Sequence, residues 1–235
     1  MENLNEFIKS LGVSLFGYAD LRSFEPRVRE SLPFGISAGI ALDPNVIKRI
    51  PSGPYMDYVD AYSTVTARLD EISRQISKYI IESGYSAIAL DREFVSKQTE
   101  LLSLDNNDEY KKAPMPHKTV AACAGLGWIT KSALIVTKEY GSAVRFTSVL
   151  TDAPLETAQN SYECLCKDCT VCKNSCPTGA IRGNTWTRNT SREELMDYEL
   201  CQKSLSDRGS ILGVNTGGTC GICIAVCPFT KQYLK

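Results

Sequence analysis

Net charge is almost absent from this sequence: 26 Lys and Arg stand against 27 Asp and Glu. No broad basic field exists to draw nucleic acid or an anionic membrane. Apolar residues never run for the roughly 18 positions that a membrane-spanning helix needs. The opening MENLNEFIKSLGVSLFGYAD has acidic residues and helical spacing where an export signal would have a basic segment and an apolar core. The chain is therefore expected to be soluble, unexported and cytoplasmic, with no membrane partner. Repeats of solenoid type are missing, and so is a dinucleotide fingerprint, because Gly125-x-Gly127 lacks both a third glycine and a strand-to-helix setting.

Cysteine, by contrast, is plentiful. Nine of the ten cysteines fall between Cys164 and Cys227. In a small secreted chain they would suggest disulfides, but without an export signal such clustering points to metal.

The length of 235 residues suits one sizeable core and a small appended module. Leu4, Phe7, Ile8 and Leu11 share one helical face, which Gly12 ends. Extended stretches at Gly35–Leu42 and Ser86–Leu90 bracket a long helix, in which Tyr62, Val65, Leu69, Ile72, Ile76 and Tyr79 recur at steps of three and four. Ala133–Thr137 and Val144–Leu150 read as strands joined by a turn around Tyr140, Gly141 and Ser142. An α/β (α+β) domain over residues 1–155 follows. Asp152–Asn160 reads as a linker, and residues 156–235, where cysteine and proline rise and apolar periodicity fades, form a second domain.

Within that second domain, Cys166-x2-Cys169-x2-Cys172-x3-Cys176-Pro177 has the spacing that bacterial ferredoxins use for iron–sulfur clusters. Three closely spaced thiolates wrap one cubane, and the fourth, before proline, ligates the other cluster. Cys220-x2-Cys223-x3-Cys227-Pro228 repeats the last three positions of the pattern. The two runs supply seven of the eight thiolates that two [4Fe–4S] clusters need. Cys164 sits beside a loop already filled, and Cys123 lies among alanines, where a small buried thiol is the ordinary reading. Cys201 remains as the eighth. The cross-over rule assigns Cys166, Cys169, Cys172 and Cys227 to the first cluster and Cys176, Cys201, Cys220 and Cys223 to the second. Zinc also uses C-x2-C pairs, but it has no need of a triple run closed by Cys-Pro.

The segment AGLGWITKSALIVTKEYGSAVRFTSVLTDAPL (Ala124–Leu155), with CKDCTVCKNSCPTGAI (Cys166–Ile181) and CGICIAVCPFTK (Cys220–Lys231), resembles the epoxyqueuosine reductase family and the related corrinoid-dependent reductive dehalogenases. The nearest likeness is to short double-cluster proteins of the first kind. The resemblance implies a nitroreductase-like, corrinoid-binding N-terminal domain, a ferredoxin-like C-terminal module and a cobalamin that receives electrons from the clusters. It implies a corrinoid-facing loop at Gly125, Leu126, Gly127, Trp128 and Lys131 and a turn at Tyr140, Gly141 and Ser142. A low-potential donor such as ferredoxin or flavodoxin would supply the electrons.

Three departures qualify the likeness. The proton-donating aspartate of the family's Asp-x-x-Pro element falls on Lys111, ahead of Lys112, Ala113 and Pro114, and Asp105 and Asp108 lie nearby without being placed by the register. The family glycine in GWxGK is Thr130 here, and the helical extension that grips tRNA has no counterpart, so tRNA is not the expected substrate.

His117, the single histidine, stands close before the AGLGW box. Its imidazole could replace the lost proton donor or ligate cobalt; it could equally be a helix-start residue after Pro116. Lys131 and Arg145 could meet the polar edge of a cofactor or solvate strand ends, Trp128 could line a cofactor or anchor a core, and Tyr55, Tyr58 and Tyr62 read as a core stripe. The expected activity is that of a cobalamin-linked iron–sulfur reductase. A second reading is an electron carrier or reductive activator of a partner protein such as a corrinoid protein, and a third is that the corrinoid pocket is empty or holds another cofactor.

Overall fold

The computed structural model describes residues 3–104, 115–158, 163–187, 190–215 and 219–235. In chain order the elements are α1 (Leu4–Ser10), β1 (Leu15–Asp20), β2 (Phe34–Ala41), α2 (Pro44–Arg49), α3 (Met56–Glu82), β3 (Ala87–Ala89), α4 (Arg92–Leu104) and α5 (His117–Cys123). There follow β4 (Trp128–Ile129), β5 (Ile135–Val136), β6 (Val144–Thr151), α6 (Val171–Asn174), α7 (Arg192–Leu195), α8 (Tyr198–Leu212), α9 (Ile222–Ala225) and α10 (Pro228–Tyr233). No helix among the described residues is long and apolar enough to cross a membrane. Lys111, Lys112, Ala113, Pro114, Asp105 and Asp108 lie outside the described residues.

The fold is mixed α/β and forms two compact units that interleave along the chain. The first comprises Met1–Ile40, Ala67–Leu126 and Phe146–Ser161; the second comprises Ala41–Thr66, Gly127–Arg145 and Tyr162–Lys235. Composition changes at residue 156, but packing divides the chain elsewhere: two segments from ahead of that point join the cysteine-rich part.

The first unit holds a four-stranded sheet in the order β1-β2-β6-β3. β1 pairs antiparallel with β2, Leu15 opposite Gly39 and Asp20 opposite Phe34, and β3 pairs antiparallel with β6. The i, i+4 stripe of Ile72, Ile76 and Ile80 on α3 packs with Leu4, Ile8 and Leu11 of the first helical segment and with Ile36, Ala38 and Val149 from the sheet. Each such aliphatic side chain contributes about 1.5–3 kcal/mol on full burial. Gly12, at φ 74°, takes the left-handed turn that ends the first helix. α4 begins on buried carboxylates: Asp91 accepts from the Phe94 N–H at 2.9 Å and pairs with Arg74 at 2.9 Å, while Asp70 pairs with Arg92 at 2.5 Å.

An apolar cluster in the second unit pools distant stretches of chain. Leu42, Ile47, Ile50 and Tyr58 pack with Ala143 and Ala225, bordered by Ile222, Ile224, Tyr233 and Leu234. The Tyr233 hydroxyl donates to the Leu42 carbonyl at 2.9 Å.

Expected strands at Gly35–Leu42, Ser86–Leu90 and Val144–Leu150 coincide with β2, β3 and β6, and the long helix with α3. Ala133–Thr137 gives only the two-residue β5 because Ala133, at φ 58°, belongs to the turn of the β4–β5 hairpin.

Candidate iron–sulfur centre

Both cysteine runs lie in the second unit, each as a loop followed by a short helix. In the first, the Cys169 N–H donates to the Cys166 carbonyl at 2.8 Å, and α6 carries Cys172. In the second, Gly221 at φ 73° caps α9, which carries Cys223, and Cys227 precedes the Pro228 that opens α10. α6 packs against α9 and α9 against α10, which brings the two loops together.

The thiols lie close enough to influence one another. Burial pushes Cys172 up, and Cys166, Cys169 and Cys227 add to the rise as neighbouring sulfurs. Burial likewise pushes Cys201 up, with Cys220 and Cys176 adding to it, and Cys223 feels Cys220 and Cys201 most among the thiols around it. Cys201, on α8, thus feels two thiols of the second set read from spacing, while Cys223 also feels Cys172 of the first. Cys123 is buried on α5, in the first unit. Cys164 accepts a hydrogen bond from the Cys166 thiol, which holds Cys164 down to about 6 and pushes Cys166 up.

Donors surround the sulfurs. The Ser204 hydroxyl donates to Cys220 Sγ at 3.4 Å. After burial, which raises it, Cys227 is pulled down by the N–H groups of Thr230 and Phe229 at the start of α10. Arg208 on α8 donates to the Thr219 carbonyl at 3.1 Å and to the Ile50 carbonyl at 3.2 Å, fixing the entrance of the second loop. The two loops differ in exposure. Leu165, Lys167, Asp168, Thr170, Val171, Lys173 and Asn174 of the first are exposed, whereas no residue of 219–227 is.

The segment from Gly127 to Ser142 braces this centre. A Cβ at Gly127 would stand 2.0 Å from the Val136 carbonyl oxygen, so only glycine lets β4 lie against β5. Lys131, 8% exposed, donates its ammonium to the carbonyls of Lys167 at 2.5 Å and Cys169 at 3.3 Å. At the turn, Gly141 (φ 57°) leaves no room for a Cβ against Thr230, and the Ser142 N–H donates to Thr230 Oγ1 at 2.9 Å. Tyr140 meets the Tyr233 ring edge-on at 5.2 Å. Gly127, Lys131, Gly141 and Ser142 thus all take part in close packing within the second unit.

His117 opens α5 in the first unit, its Nδ1 3.2 Å from Ser148 Oγ. Gly125, exposed at φ 73°, and Leu126 belong to the same unit. Arg145 lies over the Tyr62 ring at 3.6 Å, and Tyr55 lies under Arg49.

Sequence reading did not single out Ser204, Arg208 or Thr230, which carry no periodic or spacing signal. Tyr58 was legible as core, but not as the ring that packs on the second cluster loop: a Cβ at Gly221 would stand 2.7 Å from it.

Residues 165–230 match the 4Fe-4S double cluster binding domain. An epoxyqueuosine reductase from Gloeobacter violaceus is 31% identical over 122 residues, covering 51% of this chain and 37% of that protein. The structure of epoxyqueuosine reductase from Streptococcus thermophilus superposes with a TM-score of 0.59 at 18% identity, over 98% of this chain and 66% of that one. A reductive dehalogenase structure, described as suggesting a mechanism for B12-dependent dehalogenation, gives a TM-score of 0.73 at 17% identity, over 97% of this chain and 31% of that one. The alignment thus spans less than two fifths of the curated relative. The chain carries a double-cluster iron–sulfur domain and is similar to epoxyqueuosine reductases in sequence and to both kinds of protein in fold.

Proposed function

We propose, from this likeness and from the spacing of the cysteines, that the chain is an iron–sulfur oxidoreductase whose clusters deliver single electrons toward a cobalamin serving a bound substrate. The observation that carries the reading is the match of residues 165–230 to the 4Fe-4S double cluster binding domain; the influence of Cys220 and Cys176 on the Cys201 thiol supports Cys201 as the eighth ligand. Cys166, Cys169, Cys172 and Cys227 would hold one [4Fe–4S] cluster, and Cys176, Cys201, Cys220 and Cys223 the other. When bound, the clusters supply one-electron transfer at low potential, and cobalamin supplies the organometallic chemistry.

The chain's own part is to hold and insulate. Lys131 fixes the first loop through two carbonyls, and Ser204 and the N–H groups of α10 hydrogen-bond the ligand sulfurs. His117, whose imidazole changes charge near neutral pH, is the candidate proton carrier, steadied by Ser148. Cobalamin enters through the likeness to the B12-dependent dehalogenase. The nitroreductase-like description of the first unit, a ferredoxin or flavodoxin donor and a cytoplasmic setting belong to the same reading. With Lys111 at the family's aspartate position, the tRNA epoxide is not the proposed substrate.

Anaerobically purified protein tests this. About eight iron and eight sulfide per chain are expected, and added cobalamin should show shifted absorption bands and be reduced when the clusters are. His117→Ala should slow proton-coupled turnover at unchanged iron content. Stoichiometric zinc without sulfide would overturn the cluster assignment. Absence of cobalamin binding, together with prompt electron transfer to a partner protein, would turn the reading to the carrier.

A further inference from the structure

Trp128 is 5% exposed, and its indole Nε1 is buried without a hydrogen-bond partner. Burying an N–H donor unpaired is costly, and a phenylalanine of similar shape would avoid that cost. The ring is tightly constrained. β4 pairs Trp128 with Val136, and Phe229, two residues after Cys227, meets it edge-to-face at 4.8 Å and 77°. The sulfur it approaches is that of Cys166. The Lys131 backbone N–H faces the same sulfur, and the indole closes no hydrogen bond of ordinary geometry on it. A neutral thiol is a poor acceptor, whereas a sulfur bound to iron carries more negative charge and is a better one.

We propose that Trp128 donates its indole N–H to Cys166 Sγ when that sulfur ligates the first cluster, and that this bond raises the reduction potential of that cluster alone. The inference rests on the two-cluster reading with Cys166 as a ligand. An N–H···S bond favours the more negative, reduced cluster, and hydrogen bonds to the sulfurs are among the levers that set iron–sulfur potentials. The second cluster has a different donor, the Ser204 hydroxyl on Cys220. Trp128 is therefore a positioning and tuning residue, not a catalytic one.

The test is a potentiometric titration of the full-length anaerobic protein, read by electron paramagnetic resonance, with iron and sulfide measured on the same samples. Trp128→Phe should retain about eight iron and shift one of the two reduction waves to more negative potential while leaving the other unmoved. Should the variant fail to take up its clusters, unaltered protein carrying indole-15N tryptophan gives an independent reading. Its reduced form should show a 15N hyperfine coupling in pulsed resonance, and Trp186→Phe should keep that coupling. Two unmoved waves at full iron content, or no 15N coupling in the unaltered chain, overturns the proposal. Wild-type protein that holds zinc and no sulfide overturns the cluster reading and this inference with it.

Discussion

The two units are held together by different means. The first closes on branched aliphatics, with Ile8, Ile36, Ile72, Ile76 and Ile80 all buried in one cluster. The second has an apolar cluster drawn from distant stretches of chain and, in addition, nine half-buried thiols. Apolar packing needs nothing from outside, but a group of thiols is a partner for metal, and metal binding energy becomes part of the folding energy. The first unit should therefore be stable in its own right, and the second should depend on its clusters.

Removing the clusters by anaerobic chelation should break the comparison most visibly. Limited proteolysis is expected to cut within residues 162–235 while the first unit resists; apo-protein resistant through Lys235 would refute the contrast. Next in size is the loss of one ligand. Cys201→Ser should retain about four of eight iron, whereas Cys164→Ser and Cys123→Ser should retain all. An iron content halved by Cys164→Ser alone would reverse the choice of eighth ligand.

A cavity in the first unit should act on stability and spare the metal. Ile76→Ala is expected to cost about 2–5 kcal/mol in denaturant unfolding of the first unit at full iron content. The smallest effect is one of pH. Burial raises the thiols of Cys172, Cys201, Cys223 and Cys227 in the cluster-free chain. They keep their protons where an unfolded chain would lose them, at about pH 8.5. What these thiols contribute to any folded cluster-free form is thus fully present below that value and is lost as pH rises from it through the raised folded-state values. Cluster loading has the opposite dependence, because iron takes the thiolates and expels the protons, so acid competes with loading. Reconstitution near pH 7 should release protons in calorimetry performed in buffers of different ionisation enthalpy; uptake would contradict the shifts.

Where local chemistry dictates structure, the sequence was legible. The stripe on α3, the turn at Gly12, the strands β2 and β6 and both cysteine runs follow from periodicity, glycine stereochemistry and ligand spacing. β1 was not read, since its residues are nearly all half-buried and a glycine interrupts them, so alternation is faint. The division into units was hidden for a different reason. Leu42, Ile47 and Tyr58 sit with Ala225 through contacts across more than 160 residues, and nothing local marks which apolar stretch will meet a distant loop. Gly127 and Gly141 were visible as glycines, but the neighbours that require them, Val136 and Thr230, emerge only from the fold.

The unequal exposure of the two cysteine loops has a consequence for damage. The first loop alternates half-buried cysteines with exposed residues, whereas the second has none exposed and is roofed at Gly221 by the Tyr58 ring. Dissolved oxygen meets the first loop with little in its way and must get past packed side chains to reach the second. Air should therefore dismantle the two clusters in sequence, the one on Cys166, Cys169 and Cys172 going first, so that a briefly aerated sample is a half-loaded protein and not a mixture of intact and empty chains.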